Sequence, residues 1–283
     1  MQVVRTIAAV RKACARARLG AMNEECLALV PTMGALHEGH LSLVRQAQSE
    51  CELVVATIFV NPLQFGAGED FERYPRQMER DCGLLERAGV DLVFLPEVAE
   101  MYPAGAVTTV EVGGLSDRLD GASRPGHFRG VATVVTKLLH IVKPDRAYFG
   151  QKDAVQVAVL RQMVRDLNLD VELVTGATVR DPDGLAMSSR NAYLSEEERR
   201  QALALPRALE AMQETLAAGR RDRAEVLQAG MTVLQREAGV KLEYLEAVDW
   251  ATLEPVETVA PGTLVAVAAK VGRTRLIDNF VAV

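Results

Sequence analysis

Over the first two-thirds of the chain, short apolar runs alternate with amphipathic stretches, the rhythm of strands and helices in a parallel α/β sheet. The pattern predicts strands at residues 26–30, 53–60, 91–95, 146–150 and 171–175, and helices at 40–50, 77–88, 128–142 and 155–167. The 53–60 run is apolar at nearly every position, as a strand covered on both faces requires. Asp-Pro-Asp-Gly at 181–184 is a strong turn signal that ends this rhythm. Beyond it, Ser195 followed by three glutamates reads as a helix start with its cap. Helices run on to 217 and again from 223 to 238, and strand-like stretches at 242–248, 263–271 and 275–281 close the chain. The expected fold is a doubly wound parallel α/β sheet over residues 1–184, with a smaller α+β domain over 185–283.

Composition narrows this picture modestly. A chain of 283 residues with 49% apolar content holds one large or two modest domains around a sizeable core. The net charge of −6 argues against a nucleic-acid binder, which displays a basic face, but not against a small anionic substrate gripped by a few local cations. No apolar run approaches the length of a membrane span, so no membrane segment is expected, and the location is expected to be cytoplasmic. Cys14, Cys26, Cys51 and Cys82 form no Cys-x-x-Cys pair, and reduced thiols are the simplest expectation.

The residues able to carry chemistry gather at predicted strand ends. His37-Glu38-Gly39-His40 stands where the first buried strand hands over to a helix, and ligands of α/β sheets bind at the carboxyl ends of strands. The first helical turn presents unpaired N–H groups and partial positive charge. Two histidines there can donate to phosphate oxygens, and Gly39 leaves room for a nucleotide to approach the backbone. A purely structural role or a zinc half-site is the competing reading of His-x-x-His, but for zinc neither His127 nor His140 sits in an obvious ligand pattern. Asn61 and Gln64 follow the most apolar strand and carry both donors and acceptors for a small polar molecule. Lys152 opens a helix where the dipole disfavours a cation, which points to an anionic ligand. Gln156 lies one turn further on the same face. Ser188, Ser189 and Arg190 combine hydroxyls with a guanidinium suited to phosphate. The segment Arg-Pro-Gly-His-Phe-Arg-Gly at 124–130 reads either as a lid over the site or as a turn.

Taken together, these segments resemble one family. HEGH and Met187-Ser188-Ser189-Arg190 look like the paired signatures of the HIGH/KMSKS nucleotidyltransferase superfamily. Within it, PTMGALHEGHLSLV, FVNPLQFG, RPGHFRG, YFGQKD and GLAMSSRN, in this order across residues 30–195, are similar to the pantothenate synthetase (pantoate–β-alanine ligase) family. The resemblance implies a Rossmann-like sheet of nucleotidyltransferase type and an ATP-dependent ligation in the cytoplasm. ATP and (R)-pantoate would form a pantoyl adenylate and pyrophosphate, and β-alanine would then displace AMP to give pantothenate. It implies catalytic roles for His37, His40, Lys152, Ser188, Ser189 and Arg190. ATP would be bound by Met33, Gly34, His37, Gly39, His40, Gly150, Lys152, Asp153, Val179, Met187, Ser188, Ser189 and Arg190. Asn61, Gln64 and Gln156 would bind pantoate and β-alanine. Mg2+ would bridge the phosphates, with Asp81, an exposed-looking carboxylate, as its protein ligand, and the assembly would be a homodimer. The second signature departs from that of tRNA synthetases: Ala186 and Ser189 stand where those have lysines, so Arg190 and Lys152 are expected to supply the charge. Beside Asp81, Arg80 replaces an expected acid.

Two rival functions remain at this level. One is a related nucleotidyltransferase with a stable nucleotide product, and the other is a non-enzymatic nucleotide-binding module. Gln64 and Gln156 favour the ligase, because a second small polar substrate must fit beside the nucleotide. Shielding an adenylate from water calls for closure, expected about a hinge at 181–184 that carries the 187–190 loop.

Overall fold

The computed structural model describes residues 1–20 and 26–283. The first elements are β1 (Gln2–Val4), α1 (Ile7–Gly20), β2 (Leu27–Thr32), α2 (Glu38–Glu50), β3 (Leu53–Ile58), a 3-10 turn (Pro62–Gln64), α3 (Met78–Arg87) and β4 (Leu92–Phe94). There follow α4 (Val98–Met101), α5 (Asp120–Ser123), α6 (His127–Val142), β5 (Arg146–Gly150), α7 (Ala154–Asp166) and β6 (Glu172–Gly176). The chain ends with α8 (Glu196–Ala202), α9 (Ala204–Ala217), α10 (Arg223–Leu234), β7 (Val240–Asp249), β8 (Thr263–Val271) and β9 (Thr274–Val281). Two compact units result. One comprises Met1–Asp117, Arg124–Gly150 and Val159–Gly176, and the other Arg118–Ser123, Gln151–Ala158 and Ala177–Val283.

The first unit is built on a six-stranded parallel sheet in the order β1-β4-β3-β2-β5-β6. The apolar runs of β2, β3 and β4 are buried almost throughout, as central parallel strands covered on both faces must be. From β2 the winding runs outward through β3 and β4, then returns to place β5 on the other side of β2. In sheets wound this way, ligands bind beyond the carboxyl ends of the strands flanking the reversal, here β2 and β5. Thr32 and Thr57 close this end of the β2–β3 pair, with Thr32 Oγ1 donating to the Thr57 carbonyl at 2.6 Å. β1 and α1 were outside the sequence pattern. β1 is a three-residue edge strand, and α1 buries Val10 and Cys14 beneath a surface rich in alanine, arginine and lysine.

The cysteines correct an expectation. Cys26 and Cys51 are joined as a disulfide rather than left as free thiols, whereas Cys14 and Cys82 are free. The parallel register pairs Leu27 with Leu53, which sets the residues leading into β2 and β3 side by side, with the two Cα atoms 4.6 Å apart.

The second unit is an antiparallel β7-β8-β9 sheet covered by helices. Leu205, Leu209, Met212 and Val226 of α9 and α10 share its core with Val265, Val267 and Phe280. The cap read at Ser195 is formed in full: Ser195 Oγ accepts from the Glu198 N–H, and Glu198 Oε2 accepts from the Ser195 N–H. The short α5 is held by buried charge, with Arg275 donating to Asp120 at 2.6 Å and to Glu243 at 2.7 Å, and the Tyr244 hydroxyl donating to Asp120.

Candidate active site

In the first unit, the turn from β2 into α2 carries the histidine pair. His37 caps α2: its Nδ1 accepts from the Gly39 N–H at 3.2 Å, while His40 Nδ1 accepts from the His37 N–H at 3.3 Å. The helix starts two residues earlier than its periodicity suggests because a histidine, not the usual serine or aspartate, forms the reciprocal cap. With Nδ1 accepting in both rings, Nε2 is the ring position able to donate. The rings lie 4.1 Å apart, and the cap engages the backbone N–H groups of His37, Gly39 and His40 within the turn itself. Met33 and His40 are half-buried, and Gly34 holds φ +82°, a left-handed conformation that suits glycine.

Asp81 departs from the exposed carboxylate expected of a metal ligand. It is 1% exposed, and its oxygens accept from the N–H groups of Ala35 at 2.7 Å and Leu36 at 2.9 Å. A carboxylate on α3 satisfying two donors of a strained turn is a brace for the residues just ahead of His37. This is a long-range pairing that no local pattern announces.

Asn61 and Gln64 are both buried and bonded to each other, Asn61 Nδ2 donating to Gln64 Oε1 at 3.0 Å. Asn61 also caps the 3-10 turn, accepts from the Tyr102 hydroxyl at 2.8 Å and donates to the Gly130 carbonyl at 3.1 Å. Gln64 Nε2 reaches Met33 Sδ at 3.1 Å. Tyr102, Gly130, Arg124 and His127 therefore join this cluster. Residues 124–130 lead through Gly126, the N-cap, into the first turn of α6.

Arg124 grips Glu69 through two bonds, Nε to Oε1 at 2.8 Å and a second guanidinium nitrogen to Oε2 at 2.7 Å. Burial alone would raise the Glu69 carboxyl, but the hydrogen bonds and charge of Arg124 outweigh it and bring its pKa down to about 2. A carboxylate depressed in the folded state stabilises the fold above its unfolded value of 4.5, and that contribution is lost as pH falls toward 2. The difference in melting temperature between the wild type and Glu69→Gln is accordingly expected to narrow as pH is lowered from about 7 to about 3. A gap of constant size in scanning calorimetry rejects the pair as its source.

In the second unit, Lys152 follows β5 by two residues within a 3-10 turn, Gln151–Asp153, and its Nζ lies 3.5 Å from Asp153 Oδ1. Asn279 of β9, which the sequence reading missed, donates to the carbonyls of Gln151 at 3.0 Å and Lys152 at 2.9 Å. Its neighbour Asp278 is 2% exposed and accepts two bonds from Arg180. Asp and Asn inside a buried strand are poor strand formers, and that was the available signal. Gln156 is half-buried on the first turn of α7.

Residues 179–187 form a small hairpin, bridged at Arg180 and Ala186 and closed where the Met187 N–H donates to the Val179 carbonyl. Arg199 donates to Asp181 and Asp183, each at 2.8 Å. The turn at 181–184, expected to be a hinge, is thus the tip of a hairpin internal to the second unit. Ser188 caps the following 3-10 turn, its Oγ accepting from the Arg190 N–H, and Ser189 and Arg190 stand half-buried beside it.

A parallel sheet whose winding reverses at β2, with a histidine-capped helix at that strand's end, defines a Rossmann-like α/β protein. Residues 2–281 match the pantoate-beta-alanine ligase family. The chain is 67% identical over 253 residues to pantothenate synthetase of Acidobacterium capsulatum, covering 89% of this chain and 85% of that one. It is 56% identical over 281 residues to pantothenate synthetase of Koribacter versatilis, covering 99% and 96%. The crystal structure of pantothenate synthetase from Thermus thermophilus matches with a TM-score of 0.92 at 50% identity over 99% of both chains. Pantoate-beta-alanine ligase from Francisella tularensis, complexed with beta-gamma ATP and beta-alanine, matches at 0.78 with 33% identity over 99% and 97%. The chain belongs to the pantoate–β-alanine ligase family and is an enzyme of that class, forming a carbon–nitrogen bond between an acid and an amino acid.

Proposed function

We propose that the chain condenses (R)-pantoate with β-alanine in two steps that share one adenylate. A pantoate carboxylate oxygen attacks the α-phosphorus of ATP, the bond to the β-phosphate breaks, and pyrophosphate leaves. The neutral amine of β-alanine then attacks the acyl carbon of the pantoyl adenylate, AMP leaves with the bonding electrons, and the nitrogen gives up a proton. The first step builds negative charge on the phosphoryl oxygens and on pyrophosphate, so donors aimed there accelerate it. Met33, Gly34, His37, Gly39 and His40 meet ATP from the turn into α2. Gly150, Lys152 and Asp153 meet it from the end of β5, and Val179 with Met187, Ser188, Ser189 and Arg190 from the hairpin and the turn after it. Asn61, Gln64 and Gln156 hold the two acids.

The observation that supports this reading best is the placement of His37 and His40 at the start of α2: Nδ1 of each ring accepts a backbone N–H, which leaves Nε2 as the ring position able to donate to an anion. Among the described residues, no three His, Cys, Asp or Glu side chains stand together as a metal cage, and both Asp81 oxygens already accept backbone N–H groups. Magnesium would enter as Mg·ATP, held chiefly by the phosphates.

With ATP and pantoate alone, the enzyme is expected to exchange labelled pyrophosphate into ATP and to make no amide; adding β-alanine then yields pantothenate and AMP. A stable nucleotide product without the amine overturns the reading in favour of a nucleotidyltransferase. Tight ATP binding without pantoate-driven exchange overturns it in favour of a non-catalytic module. Shielding of the adenylate from water, a homodimer and a cytoplasmic location complete the proposal. Light scattering is then expected at twice the 30.8 kDa chain mass. Among the described residues no helix is long and apolar enough to cross a membrane.

A further inference from the structure

We propose that Arg124 and His127 are positioning residues for Gln64, holding the backbone from which its amide meets the acid substrates. The inference rests on the reading of Gln64 as a substrate-binding residue. Gln64 ends a single 3-10 turn, and a helix end leaves its last carbonyls without partners along the chain. Two donors converge on that carbonyl from the start of α6: His127 Nδ1 at 2.8 Å and a guanidinium nitrogen of Arg124 at 3.3 Å.

The arrangement sets its own protonation. A guanidinium has no acceptor, so Arg124, 3.0 Å from His127 Nε2, must be the donor there. Nε2 then carries the lone pair, and Nδ1 carries the hydrogen that Gln64 accepts. Glu69 fixes the guanidinium in turn through its two-point contact, with both side chains largely buried. The other end of the same turn is tied to the same helix, because Asn61 Nδ2 donates to the Gly130 carbonyl. Residues 124–130 thus grip the turn that presents Asn61 and Gln64 at both ends. The side-chain amide of Gln64, which also meets Asn61 Nδ2 and Met33 Sδ, is carried on a backbone that this grip steadies, since no longer helix or strand does so.

The test compares His127→Phe, which fills the site without donating, with His127→Asn, whose amide N–H replaces the Nδ1 donor. His127→Phe is expected to raise the pantoate KM roughly ten- to a hundredfold, because small misplacements of a substrate-binding group are costly. ATP affinity, measured by calorimetry, is expected to stay unchanged, and His127→Asn is expected to recover most of the loss. In the double variant Gln64→Ala/His127→Phe, the pantoate KM is expected to be no worse than in Gln64→Ala alone, because the histidine acts through the glutamine. Fully additive losses, or an Asn variant as impaired as the Phe variant, overturn the positioning role alone. An unchanged pantoate KM in Gln64→Ala overturns the substrate role of Gln64 and the proposal with it. If His127→Phe does not fold, Arg124→Lys carries the same comparison, keeping the charge but losing the guanidinium fork.

Discussion

Lys152→Ala is expected to lower pantoate-dependent pyrophosphate exchange by about two to three orders of magnitude, the scale of removing one preorganised donor from a developing oxyanion. Its melting temperature is expected to stay close to that of the wild type. The first half follows from charge: adenylation leaves a pyrophosphate whose negative charge has to be met, and an ammonium at a helix start is destabilised unless an anion sits nearby. The second half follows from the contacts. The ammonium lies 3.5 Å from Asp153, whose side chain is 46% exposed, and such a solvated, loosely spaced pair is worth little to stability. The local backbone is held by Asn279, which donates to the Lys152 carbonyl and is untouched by truncation of the side chain. Near-normal exchange in a folded Lys152→Ala protein removes the residue from the chemistry. A large fall in melting temperature makes its role structural instead.

Gly130→Ala is expected to destabilise the enzyme by about 1–3 kcal/mol, the usual cost of forcing extra volume into a packed site, and to weaken pantoate use with ATP affinity retained. Two effects oppose each other. In a helix interior, alanine is favoured over glycine by about 1 kcal/mol, and Gly130 lies within α6. Against this, a Cβ there would lie 2.6 Å from the Gln64 backbone nitrogen and closer still to the Leu63 carbonyl. Both obstacles are backbone, so no rotamer change relieves them, and either α6 or the Pro62–Gln64 turn must shift. Any such shift also disturbs the bond from Asn61 to the Gly130 carbonyl. Crowding outweighs helix propensity on these distances. A melting temperature equal to or above that of the wild type, in a variant with normal pantoate kinetics, rejects the close packing.

The legible parts of the fold were those with a dense local signal. β5 and β8 coincide with the runs read at 146–150 and 263–271, because continuous apolar stretches bounded by turns admit few other readings. α1 was missed because its burial rests on Val10 and Cys14 amid arginines, lysines and alanines, too thin a stripe to announce a core-facing helix. Three residues of β1 are too few to show any period. The disulfide was missed for a related reason. Cys26 and Cys51 are strangers along the chain and become neighbours only through the β2–β3 register.

What the amino-acid order determined alone was everything carried by adjacency: the alternating strands and helices, the histidines three positions apart at a strand-to-helix junction, and the motif series that marks the family. Hydrophobic period and helix capping act within a few residues, so they are written locally. Tertiary structure alone decided how distant polar groups are satisfied. It turned Asp81 from an exposed carboxylate into a buried brace for Ala35 and Leu36, and it brought Asn279 to the carbonyls beside Lys152. It also brought Arg124 and His127 onto the carbonyl of Gln64. A buried donor or acceptor must find a partner wherever the fold supplies one, and that partner is set by the packing of whole elements rather than by the residues on either side.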